Sequence, residues 1–522
     1  MTHSSPALLI PRPQESGAAT SPDLRAAATH PLAQRLSPKY WMEHCLLPLA
    51  MTNAEILIAA GGEIDPTVAD ELCWLYDRRV RLVPVPAAEL HAAILSAQSA
   101  SETEMHTGEI KGSDLVLVSP EDEALDDARA LASQAPVIKL VNLVILEALR
   151  TRASDIHLET VPDGLRVRYR IDGVLQDISH PPRQYQAAVI SRIKIMAGLN
   201  IAERRLAQDG RIRLRLSDRE LDLRVSITPT LHGEGVVLRI LDRGAGVRDL
   251  DELGIADGVR DRFEHLIRQP HGIVLVTGPT GSGKTTTLYG ALVRLNQPGL
   301  KILTVEDPVE YQIDGVTQIP VNVKTGLTFA AALRSILRHD PDVIMVGEMR
   351  DRETAEIAIQ AALTGHLVFS TLHTNDAPSG IARMIDMGVE PYLVTATVSG
   401  ILAQRLVRLV CDGCAEEYRP PADLVTELQH VPLELPRPHF RRGRGCSACS
   451  GTGYRGRTGI YELMPLTDEI RARILSAAPI ADIRALAEAN GLVSLRTAGW
   501  AKVCAGITTI DEVIRVTRDE LQ

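Results

Sequence analysis

Residues 278–285 read GPTGSGKT, a match to G-x-x-x-x-G-K-[ST]. A glycine-rich turn of this spacing lets successive backbone N–H groups face one phosphate. Gly278, Gly281 and Gly283 supply the bends, with Pro279, Thr280 and Ser282 between them. Lys284 is placed to reach the β- and γ-phosphates of a nucleotide, Thr285 offers a hydroxyl to Mg2+, and Thr286 completes the nucleotide-binding run. The apolar strand Ile273–Val276 precedes the loop and a helix is expected from Lys284, which is the context that separates this motif from a chance glycine-rich turn.

Three further segments carry acids or a histidine at the ends of apolar strands. KILTVEDPVEY (301–311) ends in Glu306, Asp307 and Glu310. Carboxylates at the carboxyl edge of a parallel sheet lie where ligands bind, and one of them can orient an attacking water. The same acids also suit a helix N-terminus, and spacing alone does not separate the two roles. PDVIMVGEMRD (341–351) has a buried-looking strand, but its tip is Gly347 and the acid follows one residue late as Glu348. That glutamate can still hold magnesium through a bound water, because magnesium keeps several waters. GHLVFSTLHTN (365–375) places His373 just past a fourth strand. A lone histidine is more often structural, yet one beside three other edge motifs reads as part of a site.

A second kind of chemistry is written in the cysteines. Cys411-Cys414 and Cys446-Cys449 form two C-x-x-C pairs separated by 31 residues (415–445). Two such knuckles make a tetrahedral, four-thiolate Zn2+ site with no open position, so a structural role is expected. The interval is longer than usual, so the intervening loop must bulge. A redox C-x-x-C needs only one pair, and neither pair opens a helix of a thioredoxin-like unit. Cys45, Cys73 and Cys504 have no partners by spacing and are expected in the core.

These residues need elements to hold them. From about 255 to 409, short strands that are apolar throughout (GIVLVTG, KILTVED, DVIMVGE, HLVFSTLH) alternate with helices. That pattern predicts an α/β domain with a parallel sheet covered on both faces. Residues 1–34 are rich in Ser, Pro and Ala and are expected to be disordered. A small α/β domain is expected over 35–100 and a polar, acidic linker over 101–135. An α+β domain follows over 136–243: VIKLVNLVILEALR has helical spacing, and LRVRYRIDGVLQDI alternates as a half-buried strand. DRGAGVRDLDELG reads as a hinge over 243–255, before a third domain over 255–522 that includes the cysteine insert 411–449 and a helical tail.

At 522 residues, two to four domains are expected. The net charge of −10 and 3% aromatic content argue against a protein built mainly to grip nucleic acid. No segment is long and apolar enough for a membrane span, and the start MTHSSPALLIPRPQ lacks the basic lead of a signal peptide. A cytoplasmic chain, free or docked to a membrane partner, is expected.

Taken together, TVEDPVEY, LRSILRHDPDVIMVGEMRD, TGHLVFSTLHTN and the phosphate loop resemble the secretion ATPase superfamily, with its Walker A loop, acidic box, Gly-Glu Walker B and histidine box. By that resemblance the late glutamate is the usual arrangement. ASDIHLE (153–159) and YRIDGVL (169–175) resemble the family's second N-terminal domain; ERRLAQDGR (203–211) does too, with Ala207 where a proline is usual, and the stretch 224–241 departs at Ile227 and Thr228. Within the superfamily, residues 389–411 and 505–520 are most similar to the type II secretion ATPases, the protein E family. The runner-up is the pilus-extension ATPase of type IV pili, whose Arg-Leu-Gly-led N-terminal repeat is not found in residues 1–100. DNA-transfer relatives lack the four-cysteine insert and rank lower.

The resemblance implies a RecA-like P-loop ATPase domain preceded by a PAS-like α+β domain and a small N-terminal domain, with a four-cysteine zinc insert. It implies that Arg224 and Arg239 face the nucleotide, that Arg334 and Arg338 belong to the nucleotide-binding set, and that Glu310, Glu306, Glu348 and His373 serve the catalytic site. It further implies a homohexamer peripheral at the inner membrane, reached through the cytoplasmic domains of L- and F-type assembly proteins. Two other classes compete: a scaffold that binds ATP without hydrolysing it, and a nucleic-acid translocase.

Overall fold

The computed structural model describes residues 24, 27, 32, 33, 36, 38–52, 54–62, 64–76, 78–93, 115–117, 135–216, 219–242, 246, 248–421 and 439–518. The chain divides into two units, one of residues 1–169, 175–218 and 223–240, the other of 170–174, 219–222 and 241–522.

The first unit contains two sheets. In the smaller, helix α1 (Pro38–His44) leads into β1 (Leu46–Met51) and β2 (Glu55–Ala60), and α2 (Pro66–Tyr76) connects to β3 (Arg79–Pro84). The order is β1-β2-β3, with an antiparallel and then a parallel pair. Trp41, Ile56, Ile58 and Leu72 are at its core, together with Leu24, Ala27, Leu32 and Ala33. Trp41 Nε1 donates to the Ala33 carbonyl at 2.8 Å, and the Tyr76 hydroxyl to the Leu32 carbonyl at 2.6 Å. These four positions are therefore packed, against the expectation of disorder over 1–34; the rest of that stretch lies outside the described residues.

The larger sheet is built from β4 (Leu115–Leu117), α3 (Ala135–Arg150), β5 (Ala153–Val161), β6 (Gly164–Ile171), β7 (Val174–Ser179), α4 (Arg183–Met196), β8 (Gln208–Leu216), β9 (Arg219–Thr230) and β10 (Gly233–Asp242). Its order is β4-β8-β9-β10-β5-β6-β7. Val137, Val141, Val144, Ile145 and Ala148 recur at helical spacing on α3 and are buried. The linker expected over 101–135 is corrected at Leu115–Leu117, which pair antiparallel with β8; most of that stretch lies outside the described residues.

The second unit starts with α5 (Asp257–Ile267), β11 (Gly272–Thr277), α6 (Lys284–Leu295), β12 (Ile302–Glu306), β13 (Val316–Pro320), α7 (Phe329–Ile336) and β14 (Val343–Val346). It continues through α8 (Arg352–Leu363), β15 (Leu367–Leu372), α9 (Ala377–Asp386), α10 (Pro391–Thr397) and β16 (Val398–Val410). The cysteine insert carries β17 (Ala415–Glu417) and β18 (Arg441–Gly443); β19 (Tyr454–Pro465) and helices α11 (Asp468–Leu475), α12 (Ile480–Ala489), α13 (Leu495–Cys504) and α14 (Ile510–Val516) follow. The sheet order is β13-β12-β14-β15-β11-β16-β19, parallel except for the β16–β19 pair.

Both faces of this sheet are covered, as the unbroken apolar strands predict. Ile273 and Leu275 of β11 point into one core with α7, α8 and α9, while Val274 and Val276 point into another with α5 and α6. Helix starts are fixed by side chains that satisfy orphan N–H groups. Asp351 accepts from Thr354 N at α8, Asp376 from Ser379 N at α9, and Thr328 from Ala331 N at α7. Of the hinge expected over 243–255, residues 243–245 and 247 lie outside the described residues, and its later part is packed. Residues Leu250–Leu253 form a 3-10 turn capped by Asp249, and Leu250, Leu253 and Ile255 are buried in the second core. Among the described residues, no helix is long and apolar enough to cross a membrane.

Candidate functional site

The phosphate loop sits between β11 and α6, at the carboxyl edge of the parallel sheet. β16 lies directly beneath it. A Cβ added at Gly278 would come within 2.5 Å of the Gln404 carbonyl oxygen, so only glycine allows the loop to seat here. At the other end of the loop, Gln404 Nε2 donates to the Ser282 carbonyl at 2.7 Å. Gln404 is fully buried, and its Oε1 has no hydrogen-bond partner among the described residues. Lys284 is buried and donates to the carbonyls of Gly278 at 2.7 Å and Pro279 at 3.1 Å, while Thr285 is exposed and Thr286 half-buried.

Glu348 and His373 converge on Lys284. His373 Nε2 lies 3.5 Å from Glu348 Oε2, and its Nδ1 lies 3.5 Å from Lys284 Nζ. Burial pulls the Lys284 ammonium down to about 8, against the favourable charge of Glu348. Burial and the neighbouring Lys284 also hold His373 below the usual imidazole range. A neutral ring suits this place, since Nδ1 can accept from the ammonium while Nε2–H faces the carboxylate.

The strand tip before Glu348 explains the late acid. A Cβ at Gly347 would stand 3.3 Å from the Val305 carbonyl oxygen, tighter than most real contacts. Ser370 Oγ donates to the Val346 carbonyl at 2.8 Å and Thr371 Oγ1 to that of Gly347 at 2.7 Å, pinning the tip against β15. A side chain at 347 would crowd β12, and the next residue carries the carboxylate toward Lys284.

The histidine segment is tied to the loop strand. Thr277 and Thr374 hydroxyls are 2.7 Å apart, and Thr374 N donates to Thr277 Oγ1 at 2.9 Å. Arg405 Nη2 donates to Asn375 Oδ1 at 2.9 Å. Arg350 pairs with Glu348 at 2.6 Å. Thr277, Thr374, Gln404, Arg405 and Arg350 are all missed by the sequence reading. Arg350 alone had a local signal, two residues after the acid.

The other expected residues separate. Glu310 is half-buried in the loop after β12. Glu306 ends β12 at the carboxyl edge, as expected, but is buried at 3% exposure and engaged by Thr304, Tyr289 and Gln318. Arg334 is exposed and paired with Glu353, and Arg338 folds back onto the Arg334 carbonyl at 2.9 Å. Neither touches Lys284, Glu348 or His373. Arg224 and Arg239 belong to the first unit, where they line a groove of about 480 Å3 with Asp209, Gly210, Arg211 and Ser226. Asp155 of the ASDIHLE segment, itself buried, accepts from Arg239 Nε at 2.9 Å and so sets that guanidinium.

The four insert cysteines form one cluster, with all sulfurs within 4.8 Å of one another. Three of the separations are 3.9 Å (Cys411–Cys446), 3.8 Å (Cys414–Cys449) and 3.7 Å (Cys446–Cys449). Tetrahedral zinc with Zn–S bonds of about 2.3 Å requires sulfurs about 3.8 Å apart, so the residues fit the metal. Burial works against the Cys449 thiolate, but the backbone N–H groups of Cys446 and Gly453, each 3.2 Å from its sulfur, draw it down to about 6. Such N–H···S contacts are what an outer shell around a metal thiolate supplies. Residues 422–438 of the insert lie outside the described residues. Cys504 is buried, whereas Cys45 and Cys73 are only half-buried.

Comparison with known proteins agrees with this geometry. Residues 130–515 match the model of the family described as type II/IV secretion system protein. The chain is 46% identical over 502 residues to the type II secretion system protein E of Pseudomonas aeruginosa, covering 96% of this chain and 99% of that one. It is 43% identical over 489 residues to the type IV pilus assembly ATPase PilB of Myxococcus xanthus, covering 92% of this chain and 86% of that one. Among solved structures, the Yersinia pseudotuberculosis ATPase DotB superposes with a TM-score of 0.55 at 21% identity, over 74% of this chain and 95% of that one, a likeness of fold. A phosphate loop, a Gly-Glu strand tip and a histidine meeting at one sheet edge, beside a match of this extent, lead to one assignment: the chain belongs to the type II/IV secretion system protein family, among its type II secretion protein E members.

Proposed function

We propose that this protein hydrolyses ATP and that the energy drives type II protein secretion, by assembly of a pseudopilus at the cytoplasmic face of the inner membrane. The observation that carries this reading is the meeting of Lys284, Glu348 and His373 at the phosphate loop. Lys284 and the loop amides hold the phosphates. Glu310 orients a water for in-line attack on the γ-phosphorus; the bond to the bridging oxygen breaks, and ADP and phosphate leave. Thr285 and, through water, Glu348 would hold magnesium, which supplies charge neutralisation on the β- and γ-oxygens. Arg224 and Arg239 stabilise the transferring phosphoryl group, and Arg334 and Arg338 complete the nucleotide-binding set. The four-cysteine cluster would hold zinc in a closed, structural shell.

The working form is a homohexamer tethered to inner-membrane L- and F-type assembly proteins through the small N-terminal sheet. The near-complete length match to the Pseudomonas aeruginosa relative supports secretion over pilus extension, where the Myxococcus xanthus relative is matched over less of its length.

The test is Mg·ATP turnover by the purified protein with its membrane partner. Lys284→Ala and Glu348→Gln are each expected to lower kcat by at least about 100-fold, the scale of losing one electrostatic group at a transition state. Unchanged phosphate release in Glu348→Gln would favour a nucleotide-binding scaffold. Stimulation by DNA that is lost steeply with salt would favour a translocase.

A further inference from the structure

The end of β12 and the loop after it carry one glutamate each, and the fold treats them in opposite ways. Glu306 ends β12 and is buried. Its Oε1 accepts from Thr304 Oγ1 at 2.5 Å and from Gln318 Nε2 at 3.1 Å, and its Oε2 accepts from the Tyr289 hydroxyl. Both Tyr289 and Gln318 have a second duty. The Tyr289 oxygen accepts the Glu310 amide at 3.2 Å. Gln318 Nε2 also donates to the Tyr311 carbonyl at 2.9 Å, while its Oε1 accepts the Ile313 amide at 2.8 Å. Residues 310–313 are thus held at three backbone points by two side chains, and one buried carboxylate orients both.

The donor inventory makes this arrangement directional. A phenol has a single proton, and Tyr289 gives it to Glu306, which leaves its lone pairs for the Glu310 N–H. Burial and the adjacent Glu306 carboxylate push the Tyr289 phenol up, so the proton stays in place. The Tyr311 ring packs edge-on against Tyr289 with centroids 6.2 Å apart. Tyr289 also lies on α6, the helix that opens at Lys284. Five residues of helix span about 7.5 Å, little more than one turn, so the loop after β12 is referenced to the same rigid piece as the phosphate lysine.

We propose that Glu306, Tyr289 and Gln318 are positioning residues that fix the backbone of 310–313 and thereby aim the Glu310 carboxylate at the attacking water. Glu306 takes no part in the chemistry itself. The inference rests on the reading of Glu310 as the water-orienting group.

Tyr289→Phe removes one oxygen and keeps the ring. In the full-length protein it is expected to lower kcat by about 10- to 100-fold, the loss that follows a misplacement of order 1 Å. KM for ATP and the ADP affinity measured by calorimetry are expected to stay within about twofold, because the phosphate loop is untouched. Gln318→Met, which keeps side-chain length, is expected to act in the same direction. The decisive measurement is a double-mutant cycle: kcat of Tyr289→Phe/Glu310→Gln should equal that of Glu310→Gln alone. Multiplying losses, a loss confined to KM or ADP affinity, or wild-type kcat in both Tyr289→Phe and Gln318→Met would overturn the proposal. The Glu310→Gln single variant tests the underlying reading by itself; wild-type kcat there removes the water-orienting role, whatever the cycle gives.

Discussion

At the scale of residues, the site is a short list of charges whose environments set their states. Lys284 is the clearest case, since burial holds its ammonium at about 8, below the ordinary lysine value of 10.5. Phosphate binding favours the charged form, so ADP affinity should fall as pH rises through about 8. Calorimetric titrations between pH 7 and 9.5 check this, and Lys284→Met should remove most of the dependence. The stability effect has the opposite sense. Between about 8 and 10.5 the unfolded chain holds a proton that the folded lysine has shed, so this group makes the fold more stable as pH rises across that window. The phosphate loop and Glu348 were legible in the sequence because their chemistry is written in consecutive residues. The contrast between Glu306 and Glu310 was not. Which carboxylate turns inward depends on Tyr289 and Gln318, which lie 17 and 12 residues away from Glu306 in the chain.

At the scale of elements, the parallel strands were readable because both faces are buried and every position is apolar. Strand β4 was not: its Leu-Val-Leu sits in a polar stretch, and it exists only by pairing with β8. Order at Leu32 and Ala33 was hidden in the same way, because the partners of their carbonyls are Tyr76 and Trp41 further along the chain. The grouping of the four cysteines was legible in their spacing, whereas the short β17–β18 pair beside them was not. The four sulfurs are expected to bind about one zinc per chain, measured by metal analysis of the purified protein. Cys414→Ser should abolish that zinc and lower the melting temperature, since a structural zinc shell contributes folding energy directly. A zinc-free protein with unchanged melting temperature and turnover would contradict a structural role.

At the scale of the whole molecule, the proposed hexamer makes turnover sensitive to protein concentration. Turnover per chain is expected to rise with protein concentration and then level off as hexamers form, followed by activity assays beside analytical ultracentrifugation. Constant specific activity from a monomer would remove the ring from the account. β16 bears on how local damage spreads through the second unit. Hydrogen-bonded to β11 and β19, it lies under the phosphate loop at Gln404 and is clasped by Glu512 of α14 through Arg408 at 2.7 Å. Seven residues past Gln404, about 23 Å of extended chain, it delivers Cys411 to the sulfur cluster. Loop and knuckle are thus joined by one continuous strand, so a chelator that frees the sulfur cluster acts on the phosphate loop from a distance, and lost turnover would reach the nucleotide through the backbone without the metal ever meeting it.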